Sequence, residues 1–191
     1  MNTSFIFLAE GFEEVEALTV VDVLRRAGIP INTVSITDSL QVTGSHGITV
    51  TADTTLTDAD LSDAQWLILP GGLPGSHNLK ACEPLCDLLI SHSQKGGGVA
   101  AICAAPAVVL APLGTLDGKE AICYPGFESA LVRSRISEKP VEIDGNVITA
   151  NGPASAMLFA LAIVNETIGS QDATSVAEGL LYYAPHEDFY F

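Results

Sequence analysis

Cys103 is the residue of this sequence best placed to do covalent chemistry. The run Gly98-Val99-Ala100-Ala101-Ile102-Cys103-Ala104-Ala105-Pro106 passes from a short apolar strand into a helix, with only small residues after the thiol. Such a sharp strand-to-helix turn presents a nucleophile at its apex. The helix N-terminus favours the thiolate, so the expectation is a lowered pKa. Most free cysteines are simply small buried hydrophobes. What sets Cys103 apart is company. In open α/β sheets ligands bind beyond the carboxyl ends of the strands, and three such ends are legible: the Glu10–Glu16 turn, the glycine-rich Pro70–Ser76 turn and the Cys103 turn.

The elements that would position these turns follow from hydrophobic periodicity. Ser4–Ala9, Ile31–Ile36, Trp66–Leu69, Gly98–Ile102 and Val147–Ala150 are apolar runs of strand length. Glu13–Ala27 has helical spacing, acids leading and Arg25-Arg26 closing before Gly28; Glu13 and Glu14 are assigned to the helix dipole and the surface. Glu83–Gln94, Ala104–Leu113 and Pro153–Ile168 are the other expected helices, Pro106 falling in a first turn, where its missing N–H costs least. Short apolar strands alternating with helices predict an α/β fold, a doubly wound, open, mainly parallel sheet with helices on both faces. Gln41–Thr51 reads as a β-hairpin excursion, and the irregular Thr115–Pro140 stretch as a rim over the site.

Composition narrows the classes of function. A chain of 191 residues, 48% hydrophobic, can bury one sizeable core, so residues 1–191 are expected to form one domain. Its net charge of −15, with eight Lys and Arg in all, argues against nucleic acid and against anionic membranes. The four cysteines, Cys82, Cys86, Cys103 and Cys123, show no zinc-type pairing. The first residues lack a basic n-region and a long apolar run, and disulfides are not needed, so a reducing, cytoplasmic setting is expected. No cofactor and no metal is implied.

Three motifs then carry a family resemblance: Ala101-Ile102-Cys103-Ala104, Leu69-Pro70-Gly71-Gly72 and Gly11-Phe12-Glu13-Glu14-Val15-Glu16. Together with Val21-Asp22-Val23-Leu24-Arg25-Arg26-Ala27-Gly28 and Gly152-Pro153 before a helix, they resemble the ThiJ/PfpI superfamily, most closely its DJ-one/YajL-like branch. The resemblance spans nearly the whole chain and implies a flavodoxin-like fold related to class I glutamine amidotransferases. It also implies that Glu16 is the acidic partner of Cys103, protonated and donating to the thiolate. Burial beside a thiolate would raise such a carboxyl's pKa. Gly72 and Ala104 would supply backbone N–H groups to an oxyanion or to oxidised sulfur. Gly71, Tyr124, Pro125, His46, His77 and Cys123 are candidates for lining the site. Cys123 is additionally a candidate resolving thiol, whereas Cys82 and Cys86 read as packing residues.

Two departures restrict the function. Peptidase relatives carry a histidine directly after the cysteine, where this chain has Ala104, and animal members of the closer branch carry one where this chain has Tyr124. Of the four histidines, His92 is expected on an exposed helix face and His186 in the tail, while His46 and His77 are expected at the surface. A Cys–His dyad is therefore not expected. The resemblance implies a stress-response protein of glyoxalase or deglycase type, acting on methylglyoxal or early glycation adducts through Cys103. The alternative is a redox sensor or redox-regulated chaperone in which Cys103 oxidises to sulfinate. A cysteine peptidase ranks below both because the Cys–His dyad is missing, and a thiazole-phosphate role in thiamin metabolism because no phosphate-binding P-loop is present. The partners implied are a small reactive carbonyl or glycated substrate and a second copy of the chain, with Glu13–Ala27 at the dimer interface.

Overall fold

The apolar runs assemble into a seven-stranded sheet in the computed structural model, which describes residues 2–182. In chain order the strands are β1 (Ser4–Leu8), β2 (Ile31–Ser35), β3 (Gln41–Thr43), β4 (Thr49–Thr51), β5 (Thr54–Thr55), β6 (Trp66–Leu69), β7 (Gly98–Ile102), β8 (Glu120–Ala121), β9 (Arg135–Ile136), β10 (Val141–Asp144) and β11 (Val147–Ala150). The helices are α1 (Glu14–Arg26), α2 (Gly75–Ala81), α3 (Glu83–Gln94), α4 (Ala156–Ile168) and α5 (Ser170–Gly179). The main sheet runs β10-β11-β7-β6-β1-β2-β5, all neighbours parallel except the antiparallel β10–β11 edge pair. Its parallel part has the flavodoxin-like order, in which the chain leaves β1 to one side and β6 continues to the other.

Both faces of the sheet are covered, which is why the strands are continuously apolar instead of alternating. Ile6, Leu8, Ile68 and Ile102 point into the layer beneath α1 and α4, while Phe5, Phe7, Leu67 and Leu69 point into the layer beneath α3. The expected hairpin forms as β3 and β4, with Val42 opposite Val50.

Two elements differ from the sequence expectation. Ala104–Leu113 is not an α-helix: Pro106–Leu110 is a π-type turn, closed by the Ala111 N–H donating to the Pro106 carbonyl at 2.9 Å. Pro106 has no N–H of its own, and the wider turn lets the apolar Ala107, Val109 and Leu110 all pack inward. The glycine-rich turn also ends sooner than expected, because α2 begins at Gly75. Between Thr115 and Pro140 the chain makes only the short β8–β9 pair and one 3-10 turn. Its Tyr124–Phe127 portion does border the site.

Candidate active site

The three turns meet at the switch point of the sheet. Cys103 follows β7 with φ 66°, a left-handed conformation that non-glycine residues adopt mainly where surrounding structure enforces it. Here two backbone bonds enforce it: the Cys103 N–H donates to the Ala150 carbonyl at 2.9 Å, and the Tyr124 N–H donates to the Cys103 carbonyl at 2.7 Å. The strained elbow presents the thiol at the floor of a pocket while leaving only 9% of the residue exposed.

Glu16 comes from the first turn of α1 and is wholly buried. Its Oε2 accepts the Gly71 N–H at 2.6 Å, and its Oε1 has no hydrogen-bond partner among the described residues. Gly71 separates the two groups and must be glycine: a Cβ there would lie 2.5 Å from Cys103 Cβ, 2.7 Å from Glu16 Oε2 and 3.0 Å from the sulfur. The Gly72 and Ala104 N–H groups lie near the thiol and favour its ionised form.

Burial overrides those amides. It pushes the Cys103 thiol up to about 12, with the Glu16 charge and hydrogen bond adding to it, so the lowered pKa expected from the helix N-terminus is not found. Only one π-type turn follows the thiol, and a nearly dry carboxyl stands beside it. Burial likewise raises Glu16 to about 7, against the Gly71 amide and Cys103, which pull it down, with the charge of Glu13 adding to the rise. The pair therefore holds two protons below about pH 7 and one above it. The remaining proton is on the sulfur, not on the carboxyl that the resemblance implied would stay protonated beside a thiolate.

The sulfur opens into a pocket of about 290 Å³. Glu13, Gly72, Leu73 and Ala104 line one part of it, and Tyr124, Phe127 and Pro153 the other. Of the residues predicted to line the site, Tyr124 does so, and Gly71 lies directly behind the sulfur. Pro125 is exposed outside the pocket. His77 is exposed on α2. Cys123 does not reach Cys103: its side chain is buried in the opposite core layer, where desolvation raises its pKa to about 11. His46 lies on the hairpin and bonds Glu14 rather than entering the pocket. His92 is half-buried against Gly97, not on an open helix face, and desolvation lowers its pKa. His186 falls outside the described residues.

Glu13 and Glu14 also depart from expectation. Glu13 faces the pocket instead of open solvent. Glu14 is buried and holds the β3–β4 hairpin. Its carboxylate accepts from the His46 N–H at 2.8 Å, the Ile48 N–H at 3.4 Å and the Ser45 hydroxyl at 3.3 Å, and pairs with His46 Nδ1 at 2.8 Å. Burial alone would raise Glu14, but these bonds outweigh it and hold the carboxyl at about 2. Glu13, Glu14 and His46 also form the one group with metal-ligand spacing among the described residues, and the Glu14–His46 hydrogen bond with the 3.6 Å approach of Glu13 to His46 already accounts for it. Helical spacing alone could not have separated these glutamates from surface acids. The Gly44–Gly47 turn that receives Glu14 was visible, but its docking was not.

A strained thiol at a strand-to-helix elbow, backed by a buried carboxyl and two backbone amides in a flavodoxin-like α/β fold, defines a class of cysteine-centred proteins. The chain belongs to the DJ-1/PfpI family, whose model matches residues 3–166. It is 39% identical over 175 residues to DJ-1 homolog B of Arabidopsis thaliana, covering 91% of this chain but only 40% of that protein's length. The crystal structure of Drosophila melanogaster DJ-1beta superposes with a TM-score of 0.91 at 38% identity, covering 96% of this chain and 99% of the other. A Caenorhabditis elegans relative named glutathione-independent glyoxalase DJR-1.2 is 30% identical over 173 residues, covering 90% of this chain and 91% of its own. Among the described residues no helix is long and apolar enough to cross a membrane.

Proposed function

We propose that this protein is a cysteine-dependent glyoxalase or deglycase that needs no cofactor and protects the cell against reactive α-oxoaldehydes. The observation that carries this reading is the placement of the Cys103 thiol and the buried Glu16 carboxyl together against Gly71, beside the Gly72 and Ala104 amides. The glyoxalase name of the nematode relative supports it.

With methylglyoxal, Glu16 takes the Cys103 proton as sulfur bonds to the aldehyde carbon. The aldehyde oxygen becomes an alkoxide held by the Gly72 and Ala104 N–H groups and is then protonated by Glu16. Glu16 next moves the proton from that carbon to the neighbouring carbonyl carbon through an enediol, which leaves a lactoyl thioester on Cys103. Water adds to the thioester, the C–S bond breaks, lactate leaves and the thiol recovers its proton. The sum is methylglyoxal plus water giving lactate, with no external oxidant or reductant.

The test is lactate formation by the purified protein beside Cys103→Ser. Turnover that disappears in the variant is expected; wild-type protein that forms no lactate overturns the reading. A redox role is the second reading, favoured by the same two amides, which fit the oxygens of a sulfinate. Peroxide titration followed by intact mass decides it, since oxidation that does not pause at two added oxygens excludes a sulfinate sensor. Exposed Val15 and Leu18 on α1 and Ile48 on the hairpin support pairing of two copies through that face, which light scattering tests. A cytoplasmic setting is consistent with four free cysteines and is tested by fractionation.

A further inference from the structure

We propose that Glu13 makes the Cys103 pocket a charge filter, admitting neutral and cationic carbonyl compounds and rejecting those that bear a carboxylate. The inference deepens the proposed function by naming the charge class of its substrates, and it rests on the carbonyl binding in this pocket. Glu13 is held in place from several sides. Its backbone N–H donates to the Gly71 carbonyl at 3.0 Å, and its side chain, 12% exposed, lies 3.3 Å from the Ser45 hydroxyl. The remaining lining is apolar, aromatic or backbone, and no Lys, Arg or His is among it.

The nearest counter-charge is His46, whose Nδ1 stands 3.6 Å from Glu13 but 2.8 Å from Glu14. One imidazole is thus shared by two carboxylates, so the three groups together stay negative even when His46 is protonated. That field reaches the reacting groups, since Glu13 contributes to the raised pKa of Glu16. A second anion brought into this partly dry pocket meets uncompensated repulsion. A cation instead meets Glu13 together with the edge-to-face Tyr124–Phe127 pair, whose ring centroids are 6.5 Å apart.

The test compares two thiol reagents of nearly equal shape, neutral iodoacetamide and anionic iodoacetate. In both, the Cys103 thiol gives up its proton to Glu16 or to water, and its sulfur bonds to the methylene carbon as iodide leaves with the C–I electron pair. Labelling is followed by mass spectrometry, with the same rate ratio measured on free cysteine as reference, so the result does not depend on whether the protein turns over any carbonyl. In the wild type the preference for iodoacetamide should exceed the reference by about tenfold or more, a like-charge effect of about 1.4 kcal/mol. Glu13→Gln should bring the ratio back towards the reference, and Glu13→Asp, which keeps the charge, should not. Raising the salt concentration should narrow the wild-type preference, a readout that needs no variant to fold. The ratio cancels any change that Glu13→Gln makes in Cys103 reactivity itself. A wild-type ratio equal to that of free cysteine, or one unmoved in Glu13→Gln, overturns the filter. If the filter holds and no lactate forms, the proposed function fails and the charge selectivity stands.

Discussion

Glu14 and Glu16 stand two residues apart in the first turn of one helix, both buried, 3% and 0% exposed. One titrates at about 2 and the other at about 7. Neither side chain touches much solvent, but Glu16 lies deeper and loses far more hydration than Glu14, and their neighbours differ as well. Glu14 meets two backbone N–H groups, a hydroxyl and an imidazole from the hairpin, so its negative charge is hydrogen-bonded on both oxygens. Glu16 meets one amide, a thiol and the repulsion of Glu13, so its charge is poorly compensated and the proton stays. A carboxylate becomes a structural anchor where donors outweigh its lost hydration and a proton carrier where lost hydration outweighs the donors.

The sharpest way to break this contrast is to neutralise each carboxyl in turn. Glu16→Gln should lower kcat for methylglyoxal by about 10²–10⁴-fold, the usual worth of a positioned acid or base, with little loss of stability. Turnover surviving in that variant would remove Glu16 from the mechanism. Gly71→Ala should be nearly as damaging, because its Cβ must displace both Cys103 and Glu16; slowed iodoacetamide labelling of Cys103 would confirm that the pair has moved.

Glu14→Gln should do the reverse. Activity should hold within a few-fold, while urea unfolding should show a loss of about 2 kcal/mol, because hydrogen bonds to a buried charge are removed. A loss of activity as large as that of Glu16→Gln would collapse the distinction between anchor and proton carrier.

The pH dependence of stability should separate the two again, with a smaller effect. Glu16 has a folded pKa above the ordinary 4.5, so its contribution is complete below about 4.5 and is lost as pH rises through about 7. Glu14 has a folded pKa below 4.5, so its contribution is complete above about 4.5 and is lost as pH falls towards 2. Urea midpoints between pH 3 and pH 8 should therefore lie closest together near pH 3 and part in opposite directions as pH rises, Glu14→Gln falling below the wild type and Glu16→Gln rising relative to it. Catalysis should follow the Glu16 limb, rising with pH through about 7 as the pair gives up its first proton.

Local pattern carried most of the fold. Continuous apolar runs of four or five residues, separated by a helix that opens with acids and ends at Gly28, leave few alternatives to a parallel sheet covered on both faces. The same pattern gave the thiol its place, because small residues after a strand allow a tight elbow. What pattern could not give was distance. That Cys123 packs into the opposite core layer, that Tyr124 borders the pocket while Pro125 does not, and that His46 anchors to Glu14 all depend on segments far apart in sequence.

The amino-acid sequence by itself determined which groups could react and roughly where: a thiol at a strand end, glycines that let backbone approach it, and acids leading the next helix. Only the tertiary structure decided their ionisation. A pKa is set by the water excluded and by the donors gathered around a group, and those donors come from β6, the hairpin and the elbow, which meet only when the sheet closes.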